Sequence, residues 1–299
     1  MVSRETNHPD VAVPSKNGHT EQITPPRRIR RDALEYRLMA GAAQIPLYSA
    51  AKVAQEAAVR QTENGMCYAT FGEVHLAGSE LEQIVQAVPA LIAVALRQRA
   101  YYFVPLAIGE NDETVVAPDY SVDLSDRAIC HRNVRFGGSD CIFISTRLMQ
   151  DRFALAFEFD INVGHHFVDA IGVPQSFADL VWSQAEADVR GETSHDAWEH
   201  RRRAMDRSHP PAGGPVGEHG SRGSAVDERA KSAYLEAAFA DALAIYMLSL
   251  TIDFDYADLR EREYPLLAPP ALAERLRHIA ELFPPNPGYE FEIRYRRRG

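Results

Sequence analysis

The chain has 299 residues, of which 45% are hydrophobic and 25% charged, a composition typical of a soluble globular protein with a core of its own. Its 42 acidic residues outnumber its 32 basic ones, and the net charge of −10 argues against a general nucleic-acid binder. No apolar run approaches the roughly 18 residues of a membrane span, and the N-terminus lacks the apolar core of a signal peptide. Three cysteines without paired spacing favour reduced thiols and a cytoplasmic protein, with export by a signal-less route left open.

The first part of the chain changes from polar to periodic. Residues 1–28 show no apolar period, which is typical of a disordered arm. Apolar residues at helical spacing predict two helices between Arg31 and Arg60. A short strand pair is expected around Met66–Ala69 and Glu73–Leu76.

An amphipathic helix comes next, with apolar residues at the i, i+3, i+4 and i+7 positions: Leu81, Ile84, Val85, Val88, Leu91, Ile92, Ala95 and Leu96. Ser79 is placed to cap this helix, and Pro89 predicts a kink or a division into two pieces. Tyr101–Ile108 is aromatic and β-branched, which predicts a strand, and Pro105 within it favours an edge strand or a bulge. Residues 119–139 are expected to be largely irregular.

The middle of the chain carries the most informative pattern. Cys141–Ser145 predicts a core strand, and the apolar run over 152–170 is too long for a strand and predicts a helix. On that helix one polar stripe lies within a narrow arc and comprises Glu158, Asn162, His165 and Asp169. Because an unpaired buried polar group costs about 1–3 kcal/mol, we expect partners for the stripe from residues 228–248.

The last third alternates helices with breaks. The pattern predicts helices over 177–189, 196–207 and 227–250, and another that begins at Pro269-Pro270 and ends at Pro284-Pro285. Residues 208–226 form a loop rich in glycine, proline and serine. The strict alternation over 289–295 predicts a terminal strand. The predicted organisation is a disordered arm (1–28), an N-terminal helical extension (29–78) and a main domain (79–299).

The order of these elements resembles that of a zincin metallopeptidase, and residues 80–250 are most similar to the catalytic domain of the anthrax lethal-factor-like (gluzincin) peptidases. Three stretches carry the resemblance. Residues 81–96 are similar to the helix before the first strand, 164–169 to the end of a His-Glu-x-Gly-His-x-x-Asp helix, and 236–241 to the downstream helix that supplies a glutamate ligand. The resemblance implies an α+β zincin-like domain with a small mixed sheet, a central His-bearing helix and a second acidic helix.

The zinc-binding motif is degenerate at this point of the chain. In H-E-x-x-H, two imidazoles one helical turn apart bind the metal and the glutamate acts as general base. Alignment on His165 puts Ile161 at the first ligand position and Asn162 at the general-base position. Isoleucine cannot bind zinc, and asparagine cannot accept a proton from a metal-bound water. The family spacing puts the third ligand at either Glu236 or Ala237.

Two interpretations of the remaining polar residues stay open. A metal site rebuilt from His165, Asp169 and Glu236 is one. The other is structural: His165 and His166 are neighbouring histidines on a buried helix, satisfied by Glu236 or Asp241.

Tyr234 has two interpretations as well. It either polarises a substrate, as the resemblance implies, or belongs to the core. Together with His166 and Asp241 it is expected to line the cleft or to support it from behind.

The sequence therefore predicts a catalytically inactive zincin-like protein that binds an extended peptide or a protein partner in a cleft walled by the Cys141–Ser145 strand. The alternative is an active metal-dependent peptidase with non-standard ligands. A third hypothesis is a structural or regulatory domain whose resemblance is only architectural. No cofactor is expected under the first hypothesis and zinc under the second, and neither nucleic acid nor a membrane is an expected partner.

Overall fold

A computed structural model describes residues 47–206, 226–259 and 264–294. The predicted arm at 1–28, the first of the two predicted N-terminal helices and residues 208–225 of the predicted loop lie outside the described residues. All described residues belong to one compact unit that begins at Pro46. Within them the protein is mixed α+β, as predicted.

A five-stranded sheet organises the described part of the chain. In spatial order its strands are β2 (Arg60–Gln61), β3 (Cys67–Thr70), β4 (Arg99–Val104), β8 (Ser139–Ser145) and β7 (His131–Phe136). Strands β3, β4 and β8 run parallel, and β2 and β7 pair antiparallel at the two edges. A second, antiparallel sheet has the order β1, β6, β5 and comprises β1 (Tyr48–Ser49), β5 (Leu106–Ile108) and β6 (Thr114–Val116).

The described helices are α1 (Ala50–Glu56), α2 (Gly78–Ala87), α3 (Ala90–Ala95), α4 (Arg152–Ile171), α5 (Gln175–Glu186), α6 (His195–Met205), α7 (Glu228–Ser249) and α8 (Pro269–Leu282). None of the helices within these described ranges is both long and apolar enough to cross a membrane. Short 3-10 turns lie at Glu110–Asp112, Ser125–Arg127 and Tyr256–Leu259.

The two faces of the larger sheet pack against different layers, because successive side chains of a strand point to opposite faces. Tyr101 and Phe103 of β4 join the main core with α4 and α7. Tyr102 and Val104, from the same strand, join a smaller core with α1 and the second sheet. The His-bearing helix α4 therefore lies on one face of the sheet.

Helices α4 and α7 are the two longest and pack along each other. The two helices come close together at Gly164, where an added Cβ would lie 2.6 Å from the Ala240 carbonyl oxygen. Only glycine fits this crossing without a shift of one backbone. At the other end Arg152 of α4 donates to the Thr251 carbonyl just beyond α7, so the two helices run antiparallel.

Most of the predicted helices are confirmed. The amphipathic helix is divided at Pro89 into α2 and α3, and α4, α5, α6, α7 and α8 lie where periodicity placed them. Ser79 does not cap α2, because the helix begins one residue earlier, at Gly78, and the Glu80 carboxylate accepts from the Ala77 amide instead.

The strand predictions were less accurate. Pro105 lies in neither an edge strand nor a bulge, since it separates the central strand β4 from β5 of the other sheet. Residues 73–76 form no strand. Residues 289–294 also form no strand, although Tyr289, Phe291 and Ile293 pack on the core in the predicted alternation.

The largest error concerns residues 119–139, because the supposedly irregular stretch contains β7. Gly137 (φ 55°) and Gly138 (φ 91°) form the two-residue turn that joins β7 to β8. Two consecutive positive φ angles are the mark of a type I′ turn, the connection that fits the twist of a hairpin. Consequently the Cys141–Ser145 strand is interior, and β7 is the edge beside α4.

Candidate functional site

The polar stripe of α4 faces the start of the edge strand β7. His131 Nδ1 of β7 lies 2.6 Å from Glu158 Oε1 of α4. Asn162 Nδ2 donates to the Glu158 carbonyl oxygen at 2.8 Å and to its Oε1 at 3.2 Å. Glu158 therefore joins the helix to the edge of the sheet.

Further along the same stripe, His165 and Asp169 are exposed. Although the residue is exposed, partial loss of hydration around the ring lowers the pKa of His165, and the neighbouring His131 lowers it further. The carboxylates of Asp169, Asp196 and Glu158 oppose that shift. Asp196 comes from the first turn of α6. We call the set His131, Glu158, Asn162, His165, Asp169 and Asp196 the groove cluster.

The charge of His131 is tied to Glu158. The hydrogen bond to the Glu158 carboxylate raises the pKa of His131, and its partial burial opposes the shift. Protonation of His131 turns this contact into an ion pair. The thiol of the preceding Cys130 is a poor nucleophile, because burial and the Glu158 charge both raise its pKa.

The backbone of β7 is open on its outer side, since among the described strands only β8 pairs with it. The Ser145 amide donates to the Cys130 carbonyl, and hydrogen-bonded pairs alternate along an antiparallel ladder. The backbone groups of Arg132 and Val134 therefore point to β8, whereas those of His131, Asn133 and Arg135 point to the open edge. The side chains of these last three residues share the sheet face that His131 turns to α4.

The side chains at the motif positions do not meet the requirements of the zinc ion that the resemblance implies. Zinc sites in proteins use at least three nitrogen, sulfur or oxygen donors that converge on one point. Ile161 offers no donor atom, and the Asn162 amide is engaged by Glu158. Glu236 is exposed on α7 and accepts a hydrogen bond from Ser232 Oγ at 3.0 Å. These side chains, as placed, do not fit a zinc ion.

Across the described ranges, no group of three or more histidine, cysteine, aspartate or glutamate residues is arranged to hold a metal. The set His165, Asp169 and Glu236 is thus not brought together. Because side chains rearrange on metal binding, a rebuilt metal site remains a prediction that a metal analysis decides.

His166 points away from the groove cluster. It is buried between α4 and the sheet, and its Nδ1 lies 3.3 Å from the hydroxyl of Tyr101 on β4. Burial lowers the pKa of His166 to about 4, and the charge of Arg99 acts in the same direction. His166 is therefore neutral at pH 7.

Tyr234 belongs to the core rather than to a cleft. Its hydroxyl donates to Glu192 Oε1 at 2.6 Å, and Arg275 Nη1 lies 3.0 Å from Glu192 Oε2. Arg201 Nη1 adds a second cation 3.3 Å from Glu192 Oε1. We call Glu192, Arg201, Tyr234 and Arg275 the buried network; Glu192, Tyr234 and Arg275 have no exposed surface.

Asp241 is also buried, and its Oδ2 accepts from Thr193 Oγ1 at 2.9 Å. Burial raises the pKa of Asp241 to about 6, against the opposing hydrogen bonds of Ser194 and Thr193. The expectation that Glu236 or Asp241 satisfies the histidines of α4 was wrong. Ala240 occupies the face of α7 that meets α4, so Asp241 turns towards the start of α6 instead.

Sequence reasoning missed three features. His131 was not recognised as a site residue because strand β7 was not predicted. Gly137-Gly138 between two β-type runs is a hairpin signal that could have revealed the strand. Glu192 had no local signal, because its partners lie up to 83 residues away. Asp160 is 2% exposed, and its Oδ2 has no hydrogen-bond partner among the described residues. Burial raises the pKa of Asp160 well above its usual range.

Comparison of the chain with family models, with curated proteins and with solved structures found no match in any of the three. None of these comparisons bears on the zincin resemblance.

Proposed function

We propose that this chain is a zincin-like protein without peptidase activity that binds an extended peptide along the open edge of β7. The observation that carries the proposal is the contact between His131 and Glu158, which holds an unpaired strand edge beside the polar stripe of α4. An extended peptide can add to such an edge through main-chain hydrogen bonds, while side-chain contacts give specificity.

We expect no peptidase activity because of the chemistry of three side chains beside the open edge of β7, those of Asn162, Glu158 and Cys130. Asn162 is a neutral amide and cannot act as a base. Glu158 is the other candidate base, and it is already bonded to His131 and Asn162. Cys130 is protonated at neutral pH because its thiol pKa is raised. None of these three side chains is prepared to activate water or to attack a peptide bond.

The zincin-like assignment is supported by a mixed sheet with an antiparallel edge strand beside the His-bearing helix, and by the close packing of that helix on α7. We place the protein in the cytoplasm, in keeping with three free cysteines. The expected partner is a peptide or protein segment, and neither nucleic acid nor a membrane is expected.

The binding test uses one backbone atom of β7. Asn133→Pro removes an amide hydrogen that faces the open edge and leaves the β7–β8 ladder intact, since an edge strand tolerates proline at such a position. Asn133→Ala is the matched control, because it removes the same side chain and keeps the amide.

Binding of the full chain to a positional library of extended, fluorescently labelled decapeptides is measured by polarisation. We expect sequence-dependent binding that Asn133→Ala preserves and Asn133→Pro weakens about tenfold, the equivalent of one or two lost hydrogen bonds. Absence of sequence-dependent binding, or equal affinities of the two variants, would contradict the proposal.

The alternative, an active metal-dependent peptidase, has a separate test. Elemental analysis of untagged protein and of a His165→Ala variant would reveal a stoichiometric metal that depends on His165. Such a metal, together with proteolysis that chelation abolishes and zinc restores, would replace the proposed function with the alternative.

A further inference from the structure

The three most exposed of the large apolar side chains in the described ranges belong to one surface. They are Leu91 and Val94 of α3 and Ile171 at the end of α4, which are 61%, 58% and 63% exposed. Together they wall a groove of about 570 Å³. Exposed apolar side chains that adjoin one another often mark a contact site.

The groove has a buried floor and one charged residue at its rim. Phe167 (3% exposed) and Phe283 (9%) lie at its base. Arg97, just beyond α3, is exposed and forms no ion pair with any residue that the structure describes. Among the described residues, no acidic one lines the groove, although the chain carries a net charge of −10.

This groove is separate from the groove cluster. At 100° per residue, Phe167 lies about 180° from Glu158 around the axis of α4, so the two sites occupy opposite faces of the helix. An occupant here is therefore independent of a peptide on β7.

We infer that this groove binds an amphipathic helix of a partner protein, through apolar side chains at i, i+3 or i+4 and i+7 and an acidic residue that pairs with Arg97. Leu91 and Val94 are three residues apart on α3. Their spacing therefore matches the i, i+3 spacing of the apolar side chains on the partner helix. Arg97 makes the groove complementary to an acidic residue of the partner helix. That residue would meet the Arg97 guanidinium, and no carboxylate of the groove lining would repel it.

Two other occupants fit less well. Three apolar side chains fall short of the roughly 800 Å² per partner that a stable dimer interface buries. A free amphiphile such as a fatty acid is normally enclosed over about 70–90% of its surface, whereas the walls of this groove are themselves more than half exposed.

The test uses two labelled 16-residue helical peptides that share leucines at i, i+3 and i+7 and differ in one rim residue, glutamate in one and lysine in the other. Binding to the full chain is measured by polarisation. We expect the glutamate peptide to bind about threefold tighter than the lysine peptide, as a partly exposed ion pair allows. Arg97→Glu should reverse this preference.

The apolar contact is tested separately with Leu91→Ser and Val94→Ser. Each should weaken both peptides about tenfold, the loss expected when a buried leucine or valine contact is removed. Val59→Ser is the matched control, because Val59 is exposed (46%) and does not line the groove, and it should leave both affinities unchanged.

Several outcomes would overturn the inference. These are failure of both peptides to bind below about 1 mM, an unchanged preference in Arg97→Glu, or equal effects of Leu91→Ser and Val59→Ser. Binding of decanoate without binding of either peptide would assign the groove to a small amphiphile. Concentration-dependent dimerisation that Leu91→Ser abolishes, measured by analytical ultracentrifugation, would assign it to a second copy of the chain.

Discussion

The buried network and the groove cluster each contain a glutamate bonded to a side chain of another element, and they differ in how deeply the glutamate and its partners are buried. Both oxygens of Glu192 are bonded, and neither Glu192 nor Arg275 has exposed side-chain surface. In the groove cluster the His131 side chain is 44% exposed and that of Glu158 is 17% exposed. A fully satisfied buried network holds segments together, whereas a partly solvated cluster retains hydrogen-bonding capacity for a ligand.

The largest expected effect comes from breaking the buried network. Glu192→Ala leaves Arg275 buried without a counter-charge, and we expect a loss of about 3–5 kcal/mol in the free energy of unfolding. Urea denaturation at pH 7 measures it. The matched substitution in the groove cluster, Glu158→Ala, removes a partly solvated contact with His131. It should lower the free energy of unfolding by at most about 1 kcal/mol. Similar losses for the two variants would show that the two clusters do not differ as described.

The neighbouring residues His165 and His166 sharpen the comparison through pH. The pKa of His166 is about 4 in the folded protein, against about 6.5 in the unfolded chain. Between about pH 6.5 and pH 4, His166 is protonated in the unfolded chain and neutral in the folded protein. The free energy of unfolding is therefore unaffected by this group above about pH 6.5 and falls as the pH drops towards 4. The expected loss is on the order of 3 kcal/mol.

Urea denaturation of the wild type and of His166→Gln at pH 7.5 and pH 4.5 measures this contribution. The wild type should lose more stability on acidification than the variant does. Asp241 contributes with the opposite sign, since its raised pKa of about 6 favours the folded protein as the pH falls through the same window. Equal pH dependence of wild type and His166→Gln would argue against a neutral, buried His166.

Asp160 differs from both clusters, because it is a buried carboxyl group with one oxygen that has no hydrogen-bond partner among the described residues. Its raised pKa means that its contribution to stability is lost as the pH rises above about 4, because the unfolded chain releases a proton that the folded protein keeps. Asp160→Asn is neutral at every pH. We expect it to be more stable than the wild type at pH 8, with the difference shrinking as the pH falls towards 4. A variant less stable at pH 8 would indicate a stabilised carboxylate.

The sequence predicted helices better than strands, for a physical reason. A helix such as α4 or α7 repeats its apolar pattern over 20 or 22 residues, which is enough to define a period. The strand β7 has six residues and is half exposed, so its apolar alternation is weak and did not predict a strand. The Gly137-Gly138 turn after it was the clearer signal of a hairpin.

The candidate site divides along the same line. The stripe of Glu158, Asn162 and His165 followed from helical geometry alone, because residues three and four apart share a face. His131, 27 residues before Glu158, could not be assigned to it without the pairing of β7 with β8.

By itself, the sequence determined the α+β class, the positions of the long helices, the break at Pro89 and the presence of Ile161 and Asn162, neither of which can take the role that the zincin resemblance would give it. These depend on short-range periodicity and on the identity of single residues. Only the tertiary structure decided that β7 is the open edge, that Glu192 is paired with arginines from two helices, and that an apolar groove lies at the end of α4. Those features depend on contacts between residues far apart in the chain, which leave no local pattern.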